Sequence, residues 1–507
     1  MTTSETAVHL TVADREALGK RARDRAPLEA HAGWQPPVGR RDPVTLLEAQ
    51  NATREPDLVP VRHGRMMASA FTFFRGSAAI MAADLATTPT AGLDAQLCGD
   101  AHLSNFGVYA SPERQLLFDL NDFDETLPGP FEYDVKRLAA SFAIAARNNG
   151  FAPSDVREAC LTVTHAYRTA MAGFAQQDTL DIWYARLSED DVRQGMESVR
   201  RTVVGSAKHS KDPKGRAKTE AQSQIKTESR TEIKNRIKRE AALIRRGEAA
   251  LEKARTRTNL QALAKLTEVV DGRVRIISQP PVLIPIRELG SYYGLDPVEA
   301  EDAVREIFER YRQTVSQTRR QLLDHYRIVD VARKVVGVGS VGTRAFVALL
   351  EGRDARDPLF LQVKEATRSV LEAHLPRSAF ANMGERVVQG QQLLQSASDI
   401  FLGWSGGIEA DRSYYWRQLR DMKGSADVES MVPPGLNYYA QICGWTLARA
   451  HARSGDPIAI AAYLGSKRRF DKSIAEFAEQ YADQNERDYE AFLTAISSDR
   501  IEARQGV

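Results

Sequence analysis

Cysteine is nearly missing from this chain: of 507 residues, only Cys98, Cys160 and Cys443 carry a thiol. Thiols so widely scattered fit neither a disulfide framework nor the clustered ligands of a zinc site, and a reducing compartment is expected. Long apolar runs are missing too. No stretch of about 18 apolar residues occurs, so no bilayer-spanning helix is expected, and the polar start from Met1 to Asp14 lacks the apolar core of a secretory signal. A cytoplasmic protein without a membrane partner is therefore expected. Charge of one sign is also lacking, since 69 Lys and Arg face 67 Asp and Glu. Nothing global commits such a chain to nucleic acid or to an anionic surface. What is present, 43% hydrophobic and 27% charged residues, suits a globular chain of roughly two to four domain-sized units.

Charge is unbalanced only locally. Between residues 201 and 258 there are 17 Lys and Arg against seven Asp and Glu, and no aromatic residue. Two readings stay open: a solvated helical insertion, or an electrostatic patch for a phosphorylated substrate, RNA or an acidic protein. The missing aromatics leave base stacking without support. The charged segment 1–59 reads as an extended leader, partly disordered, with one short amphipathic stretch from Ala13 to Asp24.

The most informative stretch is Gly99-Asp100-Ala101-His102-Leu103-Ser104-Asn105, followed by Leu117-Phe118-Asp119-Leu120-Asn121-Asp122-Phe123-Asp124. Two carboxylates and an amide lie about one hairpin apart, which fits phosphoryl transfer: one carboxylate orients a hydroxyl, while an amide and a second carboxylate hold magnesium on a nucleoside triphosphate. Asp119, Asp122, Asp124 and Glu125 crowd one strand end, where mutual repulsion calls for a cation. Solvated surface acids are the plain alternative. His102 is expected to support the loop that carries Asp100.

A second group lies far downstream. Gly337, Gly339, Ser340 and Gly342 interrupt a β-favouring run from Val335 to Leu350, and the strand Leu359 to Val363 ends at Lys364. A dinucleotide fingerprint would need a helix at the third glycine. The residues after Gly342 favour a strand instead, so a glycine-tipped hairpin is expected, able to cover phosphates with its N–H groups. Lys364 would reach those phosphates, held by a carboxylate on the following helix, with Glu385 first and Glu372 or Gln389 after it. As an edge residue it would do neither. Helices are expected at Tyr133–Asn148, Pro153–Gln176, Pro297–Tyr326, Gly384–Gln395, Leu436–His451 and Arg468–Ile496. Phe71, Phe73, Arg75, Arg417 and Lys423 complete the substrate-side candidates.

These residues resemble the protein kinase-like superfamily, in its aminoglycoside phosphotransferase and choline kinase branch. That branch carries His-Gly-Asp-x-His-x-x-Asn, a strand ending in a metal-binding Asp, and a helix opening near Tyr-Asp-Leu-Ala. Here the pattern runs Cys98 to Asn105, then Asp122, then Tyr133-Asp134-Val135-Lys136-Arg137-Leu138-Ala139. Cys98 replaces the usual His, and Asp124 replaces the final glycine of the protein-kinase version. Order is the larger departure, because the glycine loop and lysine follow the catalytic loop by more than 230 residues. Trp445 to Ala452 resembles the helix that normally precedes that loop.

The resemblance implies a circularly permuted, two-lobed α+β kinase-like fold. A large helical lobe (60–326 and 433–507) would carry the basic insertion, and a small β-rich lobe (327–432) would bind the nucleotide. It further implies transfer of the γ-phosphoryl group of ATP to a hydroxyl. Asp100, with His102 beside it, would act catalytically. Asn105, Asp122 and Asp124 would hold Mg2+, with Asp119 able to share that role. The glycine loop, Lys364 and Glu385 would grip the nucleotide. A small-molecule acceptor is expected and a protein acceptor stays open. The alternatives are a non-catalytic nucleotide-binding module, nucleotidyl transfer to a protein, and nucleic-acid binding through 201–258. As a whole the chain also resembles the uncharacterised bacterial family numbered 2252 among the domains of unknown function.

Overall fold

Alternating apolar residues around Lys364 build the most regular sheet of the protein. The strand Pro358–Ala366 is buried along all nine positions because both faces are covered. Leu359, Leu361 and Val363 meet Phe308, Tyr311 and Trp416, while Phe360 packs with Ala262, Leu266 and Ile276. Period two then places Gln362 and Lys364 on the Phe360 face. The antiparallel neighbour Ala345–Glu351 sets Ala345 opposite Lys364, and Ser413–Gln418 sets Tyr415 there from the other side. Arg327–Lys334 pairs beyond Ala345–Glu351, so the glycines between these two strands tip a hairpin, as expected. Gly403–Gly406 and Leu283–Pro285 close the edges of this six-stranded sheet.

The structure, a computed structural model, describes residues 10–209, 247, 249–289, 292, 294, 296–335, 337–419 and 422–506. Its class is mixed α+β, with several antiparallel sheets beside a larger set of helices. The helices Glu132–Asn148, Pro153–Phe174, Pro433–Ser454 and Arg469–Ser497 match their expected positions within a few residues. They share one core with the small antiparallel pairs Asp94–Leu97/Leu127–Pro130 and Phe106–Ala110/Leu116–Leu120. Among the described residues, no helix is long and apolar enough to cross a membrane.

Three expectations need correction. The sheet unit starts well before residue 327, because Asn259–Leu266, Leu283–Pro285 and Pro297–Arg312 all pack on it. A three-residue edge strand ending in proline carries little pattern, and an amphipathic helix does not reveal which body it covers. The stretch Pro297–Tyr326 forms two helices, Pro297–Arg312 and Gln317–Leu323. Residues 10–59 are not an extended leader: Val12–Arg25 and Pro43–Asn51 are helices packed on the body. Arg40 bridges Asp84 at 2.7 Å and Asp488 at 2.6 Å, a tie across the whole chain that makes a charged segment structural. Of the basic segment 201–258, residues 210–246 and 248 lie outside the described residues.

Candidate functional site

Gly99 turns the chain out of the strand Asp94–Leu97 with a positive φ of 86°. A Cβ there would sit 2.1 Å from the Glu125 carbonyl oxygen. The turn is held by Asp134, in the first turn of the helix Glu132–Asn148, whose carboxylate accepts from the Cys98 N–H at 2.7 Å and the Gly99 N–H at 3.1 Å. His451, near the end of Pro433–Ser454, approaches the same carboxylate at 3.3 Å, and the Gln96 N–H donates to Ser454 Oγ at 3.1 Å. The helix Pro433–Ser454 therefore ends against the strand that leads into Asp100. Gly99→Ala is expected to lower stability by about 2 kcal/mol or more through left-handed strain and overlap, read as a fall in the urea midpoint.

Arg137 then fixes Asp100. Its guanidinium donates to Asp100 Oδ1 through Nε at 2.8 Å and Nη2 at 2.7 Å and stacks 3.8 Å over Phe74. Oδ2 is the oxygen left to meet a substrate. His102 lies 3.8 Å from it; burial pushes this imidazole down to about 3 despite Asp100, so it stays neutral and cannot exchange protons near neutral pH. Asn105 donates its amide N–H to the Asp100 carbonyl at 2.7 Å, which turns Oδ1 of the amide away as an unused acceptor.

Asp122 and Asp124 have different tasks. Lys364 donates to Asp124 Oδ2 at 2.5 Å and stands 3.9 Å from Asp122, although it lies 240 positions after Asp124. Tyr415 donates to Asp124 Oδ1 at 2.6 Å, and Ser340 lies 3.3 Å from Oδ2. Burial would raise Asp124, but Lys364 and Tyr415 hold it at about 2. With both oxygens engaged, Asp124 anchors the lysine and is not free to hold a metal. Asp122 carries only the Asp124 N–H at 3.3 Å. Burial pushes its carboxyl up and Asp124 adds to the rise, against Lys364 and Arg417. A cation beside it would remove that penalty.

The partner expected for Lys364 is thus corrected: its carboxylates are Asp124 and Asp122, not Glu385. Glu385 stands in the first turn of Met383–Leu394, where its N–H is capped by Asn382, and Glu372 belongs to a capping box with Ser369. The next residue, Arg386, matters more. It donates to the carbonyls of Asp124, Thr126 and Thr367 at 2.6–2.8 Å and so joins the acidic segment to the sheet. Asp119 is removed as a metal candidate, being buried against Arg449 and accepting from the Ser396 N–H and Oγ at 2.8 Å.

These groups line one cleft of about 180 Å3, walled by Asp100, His102, Asn105, Asp122, Glu125, Lys364, Gln362 and Arg417, with Gly337, Gly339 and Ser340 above. Arg417 donates to Gln362 and to the Asn121 carbonyl, both at 3.1 Å. Burial pushes Glu125 up to about 7. Gly342 stands outside the cleft and shapes the loop, with φ of 89° and its carbonyl accepting from the Glu55 N–H at 2.7 Å. Among the remaining candidates, Phe71 and Phe73 are core residues, and Lys423 offers its carbonyl to Arg257. Among the described residues no three His, Cys, Asp or Glu side chains form a metal cage. Asp122 with Asn105 Oδ1 fits the smaller protein share that magnesium takes when phosphates and water complete its shell.

Sequence reasoning missed Arg137, Tyr415 and Arg386. Only Arg137 carried a signal, as a charge at the inward face of an otherwise apolar helix start. A family model described as "Uncharacterized protein conserved in bacteria (DUF2252)" matches residues 54–246 and 214–495. No curated protein and no solved structure matches the chain.

Proposed function

We propose that this chain, which belongs to the DUF2252 family, is a magnesium-dependent phosphotransferase with a two-lobed, circularly permuted kinase-like fold. One observation carries the reading: Lys364, Asp122, Asn105 and Asp100, drawn from segments far apart in the chain, line a single cleft beneath the glycine hairpin. The helix ending at Ser454 beside the strand into Asp100 supports the permuted order. Charge neutralisation and positioning supply most of the acceleration in this chemistry.

In this mechanism Lys364 keeps one N–H on Asp124 and turns its other donors to the phosphates of ATP, while Ser340 and the glycine N–H groups cover them. Asp122 and Asn105 would hold magnesium, which would supply positive charge to offset that of the phosphates. Asp100 Oδ2, aimed by Arg137, accepts the hydrogen of the acceptor hydroxyl. The hydroxyl oxygen bonds to the γ-phosphorus, the bond to the β-phosphate oxygen breaks, and ADP leaves. His102 supports the loop, so its loss is expected to matter less than that of Asp122.

The test pairs thermal stabilisation by Mg·ATP with product analysis. Wild type is expected to gain stability and to release ADP, while Asp100→Asn binds Mg·ATP normally and turns over about 100-fold or more slower. Release of pyrophosphate in place of ADP would change the reading to nucleotidyl transfer. Absence of any Mg·ATP stabilisation in wild type would overturn the proposal.

A further inference from the structure

One wall of the cleft holds Arg75, with Arg62 bonded behind it to Gln50 and Gly76. Among the described residues, Arg54, Arg62 and Arg75 form no ion pair with a carboxylate. Arg62, fully buried, donates only to neutral oxygens: Asn51 Oδ1, Gln50 Oε1 and the Gly76 carbonyl. Arg54 donates to the Val341 carbonyl at 2.6 Å. Arg75 makes no hydrogen bond; its Nε is buried without a partner, and its nearest recorded contact is the Phe71 ring at 5.9 Å. Burial lowers all three from the usual arginine range, Arg54 to about 10. Glu125 and Asp124 offset part of this for Arg54, and Asp100 and Glu429 part of it for Arg75, but a desolvated guanidinium that no carboxylate pairs directly still favours an arriving anion.

Two further features converge there. The helix Ala78–Leu85 begins at the cleft wall without a side-chain cap. The Ser77 hydroxyl turns back to the Phe74 carbonyl, and the Ile80 and Met81 N–H groups share the Ser77 carbonyl. Its first N–H groups are thus open to an anion. Independently, His102 is 4% exposed, lines the same cleft and has no partner at Nδ1. Of the acids of the cleft, Asp124 is taken by Lys364 and Tyr415, Glu125 by the Val370 N–H and Asp100 Oδ1 by Arg137, while Asp122 and Asp100 Oδ2 serve the magnesium and hydroxyl roles proposed above.

We propose that Arg75, the open start of Ala78–Leu85 and His102 form an anion subsite, distinct from the ATP phosphates, that takes a carboxylate or phosphate group of the acceptor. The word acceptor rests on the phosphotransferase reading; the anion subsite does not. An acceptor read here carries a hydroxyl and an anionic group, and an amine would meet the Arg75 guanidinium.

Inorganic phosphate is the probe, titrated at fixed ionic strength against the full chain, with and without saturating Mg2+ and a non-hydrolysable ATP analogue. Wild type is expected to bind phosphate in both conditions. Arg75→Gln should weaken phosphate by about tenfold or more, the loss of one charge-assisted contact, with analogue affinity unchanged, and Arg75→Lys should recover part of it. Arg75→Gln removes no hydrogen bond and relieves a desolvated charge, so its melting temperature should equal or exceed that of wild type; should it fail to fold, Arg75→Lys decides by the same titration. Displacement of phosphate by the analogue would assign the subsite to the ATP phosphates and overturn the proposal. Phosphate binding indifferent to Arg75 would overturn it too. Failure of the analogue to bind, with Arg75-dependent phosphate binding intact, would instead overturn the phosphotransferase reading.

Discussion

Asp122→Asn should lower Mg-dependent ATP turnover on the order of 1,000-fold or more, the scale of losing a principal electrostatic group at developing charge. The same change should leave the melting temperature at neutral pH equal to or above that of wild type. The two expectations have one cause. Asp122 is pushed up by burial and by Asp124, so the folded state holds its charge less readily than the unfolded chain does. A carboxyl raised on folding contributes most at low pH and loses that contribution as pH rises through the ordinary carboxylate value towards the raised one. Near neutrality Asp122 is therefore a burden to the free protein, and the amide removes it. A melting temperature clearly below wild type, or turnover near wild type, would show that Asp122 is a structural carboxylate.

The acidic motif was legible in the sequence because its chemistry is local: Asp100, Asn105 and Asp122 lie within one hairpin. The assignment of Asp124 and Asp119 was not, since each is decided by a partner from elsewhere. Asp124 is spent on Lys364 and Tyr415 from the sheet, and Asp119 on Arg449 of the helix Pro433–Ser454. Lys364 illustrates the same limit. Its strand, face and direction follow from period two, but its counter-ion comes from before it in the chain rather than from the helix after it. The early start of the sheet unit was hidden because Leu283–Pro285 is too short to show alternation. Residues 10–59 misled for the opposite reason: their charges read as solvated, while Arg40 is matched to acids more than 400 positions apart.

Lys364→Ala should be the most damaging single change to stability. The ammonium is nearly buried and its partners Asp124 and Asp122 are mostly so, and removing it takes away the cation that stands between the two carboxylates. Breaking one side of such a pair costs about 3–5 kcal/mol, so a large fall in denaturant midpoint is expected at neutral pH. Its pH dependence identifies the cause. In wild type Asp124 is held at about 2; a carboxyl depressed on folding contributes stability above its ordinary value, and that contribution is lost as pH falls towards 2. Without Lys364 the depression weakens to what Tyr415 and Arg417 sustain, Asp124 and Asp122 repel, and protonation relieves them. The deficit of Lys364→Ala relative to wild type should therefore shrink as pH is lowered below about 5. Lys364→Met, which keeps most of the apolar stem, separates this charge effect from lost packing: the same pH-dependent deficit in both variants supports it. A deficit in Lys364→Ala alone, constant with pH, would show that the stem and not the ammonium supplies the stability.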